Sequence, residues 1–356
     1  MAIIELDAAR CTGCGLCEAF CPVNVFEMRE TDAGERPIAV RPEDCWGCDT
    51  CVGQCPQGAL HVVVQAGEGP DGIPGTGSDS GASATAAASA TTAANAATTT
   101  ATAATIGEPL RELTADERAA YAEWSEKLQS ILKLRWSPVA ITLVPVGTQL
   151  PDAPRPHDRL RYCQSLMAAR RGATLLMPPQ CHACPDGTAI LGLTEMPAKL
   201  ASGELYILFK KLASIEAAQQ MVAERPHLPE RSVAATLVAP LAKAEHPADV
   251  IALIAEPEQM MWMCMSASFF TGKRFEFHVS GYNAQCVETT LYPYTTGELN
   301  ISLGCYGCRA SSDVGDNLMF MGIPVARMPE LIKGLERLGE KAITDSRNKI
   351  YLPPLA

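Results

Sequence analysis

Cys11-Thr12-Gly13-Cys14-Gly15-Leu16-Cys17-Glu18-Ala19-Phe20-Cys21-Pro22 and Cys45-Trp46-Gly47-Cys48-Asp49-Thr50-Cys51-Val52-Gly53-Gln54-Cys55-Pro56 follow one pattern, C-x2-C-x2-C-x3-C-P. A 4Fe–4S cubane needs four thiolates that converge from one compact loop and one distant point, and this spacing supplies both. Gly13, Gly15 and Gly47 let the backbone turn close to sulfide and aim N–H groups at it. Pro22 and Pro56 close each loop and block helix continuation. The chain has fifteen cysteines, so seven lie outside the two runs. Thiols that hold iron require a reducing compartment, which places the chain in the cytoplasm as an expectation and argues against a disulfide framework.

The two runs resemble the two-cluster 4Fe–4S ferredoxin family, and the resemblance covers residues 1–66. It implies crossed ligation: Cys11, Cys14, Cys17 and Cys55 on one cluster, and Cys45, Cys48, Cys51 and Cys21 on the other. It also implies low-potential one-electron transfer. Ile3–Leu6 and Leu60–Val64 read as short paired strands at the two ends. Thr31 to Glu43 is a longer connection than the family pattern and is expected to be a surface loop. Ten acidic residues against four arginines in residues 1–66 favour a redox partner with a basic docking patch.

The whole chain, 356 residues with a net charge of −11, is long enough for two or three domains and unsuited to nucleic acid, whose phosphates select basic surfaces. The sequence contains no apolar run long enough to span a bilayer and opens with no signal-like segment. Residues 67–106 shift to Gly, Asp and Pro and then to Ala, Ser and Thr, with no periodicity that could bury a face. They are expected to be a disordered tether, with an r.m.s. span of about 35 Å for roughly 40 flexible residues.

Residues 107–356 read as a mixed α+β domain, so the fold class is α+β throughout. Thr114-Ala115-Asp116-Glu117 is a capping box, with Tyr121, Trp124, Leu128, Ile131 and Leu132 on one helical face. Apolar runs at Val139–Val146, Thr174–Met177, Val250–Ile254, Phe275–Val279, Ile301–Leu303 and Leu318–Met321 suggest strands. Helices are expected near Glu204–Arg225 and Pro329–Lys341.

An internal repeat organises this domain. Cys163 precedes Cys181-His182-Ala183-Cys184, and Cys286 precedes Cys305-Tyr306-Gly307-Cys308, at 18 or 19 residues in both halves. A pseudo-twofold axis would then dispose six cysteines three and three. A C-x2-C turn brings two sulfurs to one metal face, and a third cysteine completes a three-thiolate set. Three arrangements fit: a cluster in each half, one larger cluster shared across the axis, or one tetrahedral zinc or 4Fe–4S site from Cys181, Cys184, Cys305 and Cys308. His182 is a lesser candidate ligand. Cys264, in the Met-rich run Met260–Ser266, has no counterpart and belongs to a core helix or to an apolar cavity wall. Arg309 and Ser311-Ser312-Asp313 could bind an anion or simply face solvent.

The Cys305-Tyr306-Gly307-Cys308-Arg309 turn, the strand–Cys–C-x2-C order and the closing Gly322-Ile323-Pro324 resemble the domain of unknown function 169 over residues 125–350. That family implies no mechanism. The sequence therefore predicts an iron–sulfur electron-transfer protein with two 4Fe–4S clusters in residues 1–66 and a further iron–sulfur centre in residues 107–356. The competing reading is a redox sensor or scaffold whose C-terminal cysteines hold structural zinc. Catalytic residues are not assignable; an oxidoreductase and the electron-transfer subunit of one both fit, as does a homo-oligomer. Neither a dinucleotide-binding turn nor a nucleophile triad is present.

Overall fold

The computed structural model describes residues 2–64, except 46 and 49, and residues 108–346. The expected tether, 67–106, lies outside the described residues. In the N-terminal domain β1 (Ala2–Leu6) and β4 (Leu60–Val64) pair antiparallel over five residues, as the apolar ends of this segment predict. Each cysteine run carries one short helix, α1 (Leu16–Phe20) and α2 (Thr50–Gln54). The expected surface loop from Thr31 to Glu43 is instead largely one arm of a hairpin. Phe26–Thr31 (β2) pairs with Gly34–Ala39 (β3) around Asp32-Ala33, and Gly34 takes the positive φ of 86° that this tight reversal needs. Cys17, Cys21, Val25, Phe26, Cys51 and Leu60 make the small core, so the thiols themselves form much of what is buried.

The C-terminal domain is built on one six-stranded antiparallel sheet: β5 (Val139–Pro145), β6 (Leu175–Met177), β7 (Val233–Pro240), β8 (Val250–Ala255), β9 (Asn300–Ser302) and β10 (Met319–Pro324). Their spatial order is β6-β7-β5-β8-β10-β9. This order reads the same from either edge when β5, β6 and β7 are exchanged for β8, β9 and β10. The centre of the sheet is the antiparallel pair β5/β8, with Ala140 opposite Ile251. The side chain of Asp249 reinforces it by accepting the Leu143 N–H at 2.7 Å.

Alternation along the strands covers both faces. Ile251, Leu253, Met321 and Ile323 face a core shared with α3 (Ala115–Leu132), α9 (Pro257–Ser268) and α12 (Met328–Glu340), the last followed by α13 (Ala342–Ser346). Ile141, Val238, Ile254 and Phe320 face the opposite core, which contains Cys163, Cys286 and Cys308. This second face carries α4 (Tyr162–Arg170) and a π-helical stretch, Ala284–Leu291. The shorter helices are α5 (Pro185–Ile190), α6 (Ala198–Ala201), α7 (Glu204–Leu208), α8 (Ile215–Glu224), α10 (Tyr292–Thr296) and α11 (Tyr306–Ser311).

Several sequence expectations change here. The Glu204–Arg225 helix is two helices, because Lys210 adopts a left-handed φ of 51° and Ser214 caps a new start through the Ala217 N–H. Phe275–Val279 is not a strand: the His278 N–H goes to the Asn300 side chain at 2.8 Å rather than to a ladder. Strand β7 was not anticipated, since Val233-Ala234-Ala235-Thr236 is rich in alanine, a weak strand former. The capping box at Thr114 forms with both reciprocal bonds.

Candidate metal centres and the cleft between them

In the N-terminal domain the cysteines separate into the two crossed sets. Cys11, Cys14, Cys17 and Cys55 line one cavity. Cys21 lies within electrostatic reach of Cys45, Cys48 and Cys51. Burial, together with the neighbouring thiols, pushes the Cys17 thiol up to about 11 and the Cys51 thiol up to about 12. Four thiols crowded together in an apolar core tolerate ionisation only around a positive core of their own. Backbone N–H groups already point at sulfur: Val25 to Cys21 and Ala59 to Cys55, both at 3.2 Å. The donor set therefore fits two cubanes.

The C-terminal cysteines are arranged across the two expected halves rather than within them. Cys163 on α4 hydrogen-bonds to Cys308 on α11, and the Cys308 thiol is held below the ordinary thiol range by that bond, by Ser312 and by the charge of Arg309. Cys184, Cys286 and Cys305 form the complementary group: burial raises the pKa of Cys184 and of Cys286, Cys305 raises both further, and Cys184 adds to the rise at Cys286. A Cβ placed on Gly187 would lie 2.9 Å from Cys286 Sγ and 3.5 Å from Cys184 Sγ, so these two thiols meet over a bare backbone. Cys184 and Cys305 each cap a short helix, accepting the N–H of Gly187 at 3.5 Å and of Cys308 at 3.4 Å.

This corrects the expectation that each C-x2-C turn keeps its two sulfurs on one face. In the first turn the helix begins after the second cysteine, and in the second turn after the first. Cys181 is thereby left near Arg155 and Arg159 instead of the other thiols, and Cys308 is turned inward to Cys163. The four cysteines weighed for one tetrahedral site do not gather. Among the described residues no three His, Cys, Asp or Glu side chains are arranged to hold a single metal ion. His182 is buried and keeps its Nε2 on the Met177 carbonyl at 3.0 Å, and burial lowers its pKa to about 4. Cys264 packs against the core on the other face of the sheet, away from this thiol group. Arg309 is spent on the carbonyls of Leu303, Gly315 and Leu318, and Asp313 pairs with Arg171, so neither is an anion site.

A cleft of about 550 Å³ separates the two domains at this point. Its N-terminal wall is Phe20, Pro22, Thr50, Gly53 and Gln54, the residues that flank Cys21 and Cys51. Its C-terminal wall includes Cys184, Cys305, Arg161, Tyr206 and Lys211. The domains touch beside it. Lys199 Nζ donates to the carbonyls of Glu18 at 3.0 Å and Ala19 at 3.2 Å, capping the last turn of α1, and Phe20 packs on Phe209 with ring centroids 4.7 Å apart. Behind the wall, buried Arg225 pairs with Asp186 at 3.0 Å and donates to Tyr206 Oη at 2.6 Å and Asn283 Oδ1 at 3.1 Å. Buried Glu288 accepts the N–H groups of Ser280 at 2.6 Å and Gly281 at 2.9 Å, which fixes the rim next to the π-helical stretch that carries Cys286. These positioning residues carried no sequence signal, because each partner lies far away in the chain.

The family described as uncharacterised ArCR, domain of unknown function 169, matches residues 127–334. The chain belongs to this family. The DUF169 region takes in all six repeat cysteines, the sheet and the C-terminal wall of the cleft. A 4Fe-4S dicluster domain matches residues 10–59, which include all eight cysteines of the two runs. An uncharacterized protein of Methanocaldococcus jannaschii is 26% identical over 217 residues, 60% of this chain and 93% of its own length. Two ferredoxins align with the N-terminal part alone. That of Methanothermococcus thermolithotrophicus is 33% identical over 61 residues, 17% of this chain and 95% of its own, and an uncharacterized ferredoxin of M. jannaschii is 36% identical over 61 residues, 17% of this chain and 92% of its own. No solved structure matches. No helix among the described residues is long and apolar enough to cross a membrane.

Proposed function

We propose that the N-terminal ferredoxin-type domain passes electrons into a thiol-held centre of the DUF169 domain, across the cleft between them. The observation that carries this reading is the placement of the cleft: residues flanking Cys21 and Cys51 form one wall, and Cys184 and Cys305 stand in the other. Cys11, Cys14, Cys17 and Cys55 would hold one 4Fe–4S cluster, and Cys21, Cys45, Cys48 and Cys51 the other. Such clusters supply one-electron transfer at low potential. Cys184, Cys286 and Cys305, backed by the Cys163–Cys308 pair, would hold a further iron–sulfur centre shared between two repeated halves; the matching strand order supports that repeat. The sulfur-rich donor set and the adjoining electron source favour iron–sulfur over structural zinc. In this scheme Lys199 and Phe209 position the ferredoxin, Arg225 and Glu288 stiffen the thiol wall, and the segment 67–106 keeps the two domains together when they part.

The docking contacts give the test. The double variant Lys199→Glu, Phe209→Ser removes the α1 cap and the aromatic contact while leaving every cysteine in place. It is expected to keep its iron and sulfide but to slow reduction of the C-terminal centre by tenfold or more after rapid mixing with a ferredoxin-reducing donor. Unchanged reduction kinetics would contradict the relay.

A further inference from the structure

We infer that the cleft is a binding site for a small organic anion, held by Arg161 and Lys211 over the floor formed by Cys184 and Cys305. This inference rests on the relay reading for its role but on separate observations for its chemistry. Two cations stand in the C-terminal wall without a carboxylate partner among the described residues. The Arg161 guanidinium lies beside Gly307, with Nη1 3.6 Å from where a Cβ there would be, and its charge reaches Cys184. The ammonium of Lys211 sits over the rings of Phe209 and Tyr306, 5.2 and 5.0 Å from their centroids. Its backbone is pinned from the far side, where Tyr282 Oη donates to the Lys211 carbonyl at 2.7 Å.

The one carboxylate among the described residues that line the cleft, Asp186, cannot serve them. It is already neutralised by buried Arg225 and bonded to Asn283 at 2.8 Å and to Tyr206. The wall therefore presents two positive charges that have no carboxylate partner among the described residues to a space of about 550 Å³, a size suited to a small molecule. Tyr306, which lines the cleft, is 69% exposed, with Lys211 over one face of its ring. A planar molecule with a carboxylate or phosphate group satisfies all three features: the anionic head pairs with Arg161 and Lys211, and the ring packs against the part of Tyr306 that Lys211 leaves exposed. If the two cations served only to offset thiolate charge, no open volume or exposed aromatic face would be needed beside them.

The test is calorimetric titration of the anaerobically purified full chain with benzoate, with neutral benzamide and with inorganic phosphate. Iron and sulfide are measured on the same samples. Benzoate is expected to bind at least tenfold more tightly than benzamide, and Arg161→Gln and Lys211→Gln are each expected to weaken benzoate by roughly tenfold while leaving iron and sulfide unchanged. Phosphate binding that shows the same two losses would mean that the anionic head alone is recognised, and it too supports the site. Absence of benzoate and phosphate binding, or binding that neither variant changes, overturns the inference. Anion binding in a chain whose C-terminal domain holds no iron would keep the site and remove the relay; a full iron complement without anion binding would do the reverse.

Discussion

Gly187→Val is expected to empty the proposed C-terminal centre while leaving the ferredoxin-type domain intact. A Cβ at this position would lie 2.9 Å from Cys286 Sγ, closer than side-chain carbons approach in folded proteins, and the branched valine adds two more carbons. Cys286 cannot yield easily. It is buried on the π-helical stretch, which is held on one side by Tyr162 Oη on Thr290 Oγ1 at 3.0 Å and on the other by the Asn300 amide on the Glu288 carbonyl at 2.8 Å. Overpacking of this kind costs about 1–3 kcal/mol, enough to displace the thiols without unfolding a domain of this size. The variant should therefore fold, keep the visible absorption of two clusters and lose any iron beyond them. Gly53→Ala is the matched control, since a Cβ there meets nothing within 4 Å. Loss of iron from the ferredoxin-type domain instead, or no loss in the Gly187 variant, would show that the thiols over Gly187 are not ligands.

The second large effect concerns the crossed sets. Cys21→Ser removes a residue of the first run, yet the structure places it with Cys45, Cys48 and Cys51. Serine oxygen is a poor ligand for iron in these clusters. The variant is expected to lose about four iron and four sulfide and, with them, reduction of the C-terminal centre, because the lost cluster is the one whose flanking residues wall the cleft. Cys14→Ser, in the other cavity, should lose a similar amount of iron but retain much of that reduction from a donor able to reach the remaining cluster. Redox titration with electron paramagnetic resonance separates the two outcomes. Identical behaviour of Cys21→Ser and Cys14→Ser would mean that the runs are not crossed in the way their geometry suggests.

The sequence carried the ferredoxin half well, for a physical reason. Six of its eight thiols lie in two loops whose spacing alone brings three sulfurs together, and the remaining two follow at fixed offsets. The C-terminal half was legible in five of its six strands and in its six cysteines, but not in β7, whose alanines mask it, nor in how those cysteines meet. Their partners stand more than a hundred residues away: Cys163 with Cys308, and Cys184 with Cys286. Which thiol of each C-x2-C turn faces which group depends on where the following helix starts, and similar spacings in the two halves hide opposite starts. The walls of the cleft were less legible still. Arg161, Lys211 and Phe209 gain meaning only when the ferredoxin-type domain is set against them, and nothing in their neighbours' identity marks them out.

The measurement that bears most directly on the central claim is the iron, acid-labile sulfide and zinc content of the anaerobically purified full chain and of its Cys286→Ser variant. The account predicts iron and sulfide clearly above the roughly eight of each that two cubanes hold, with the excess lost in Cys286→Ser. About eight of each in both proteins, or zinc in place of the excess, would contradict it.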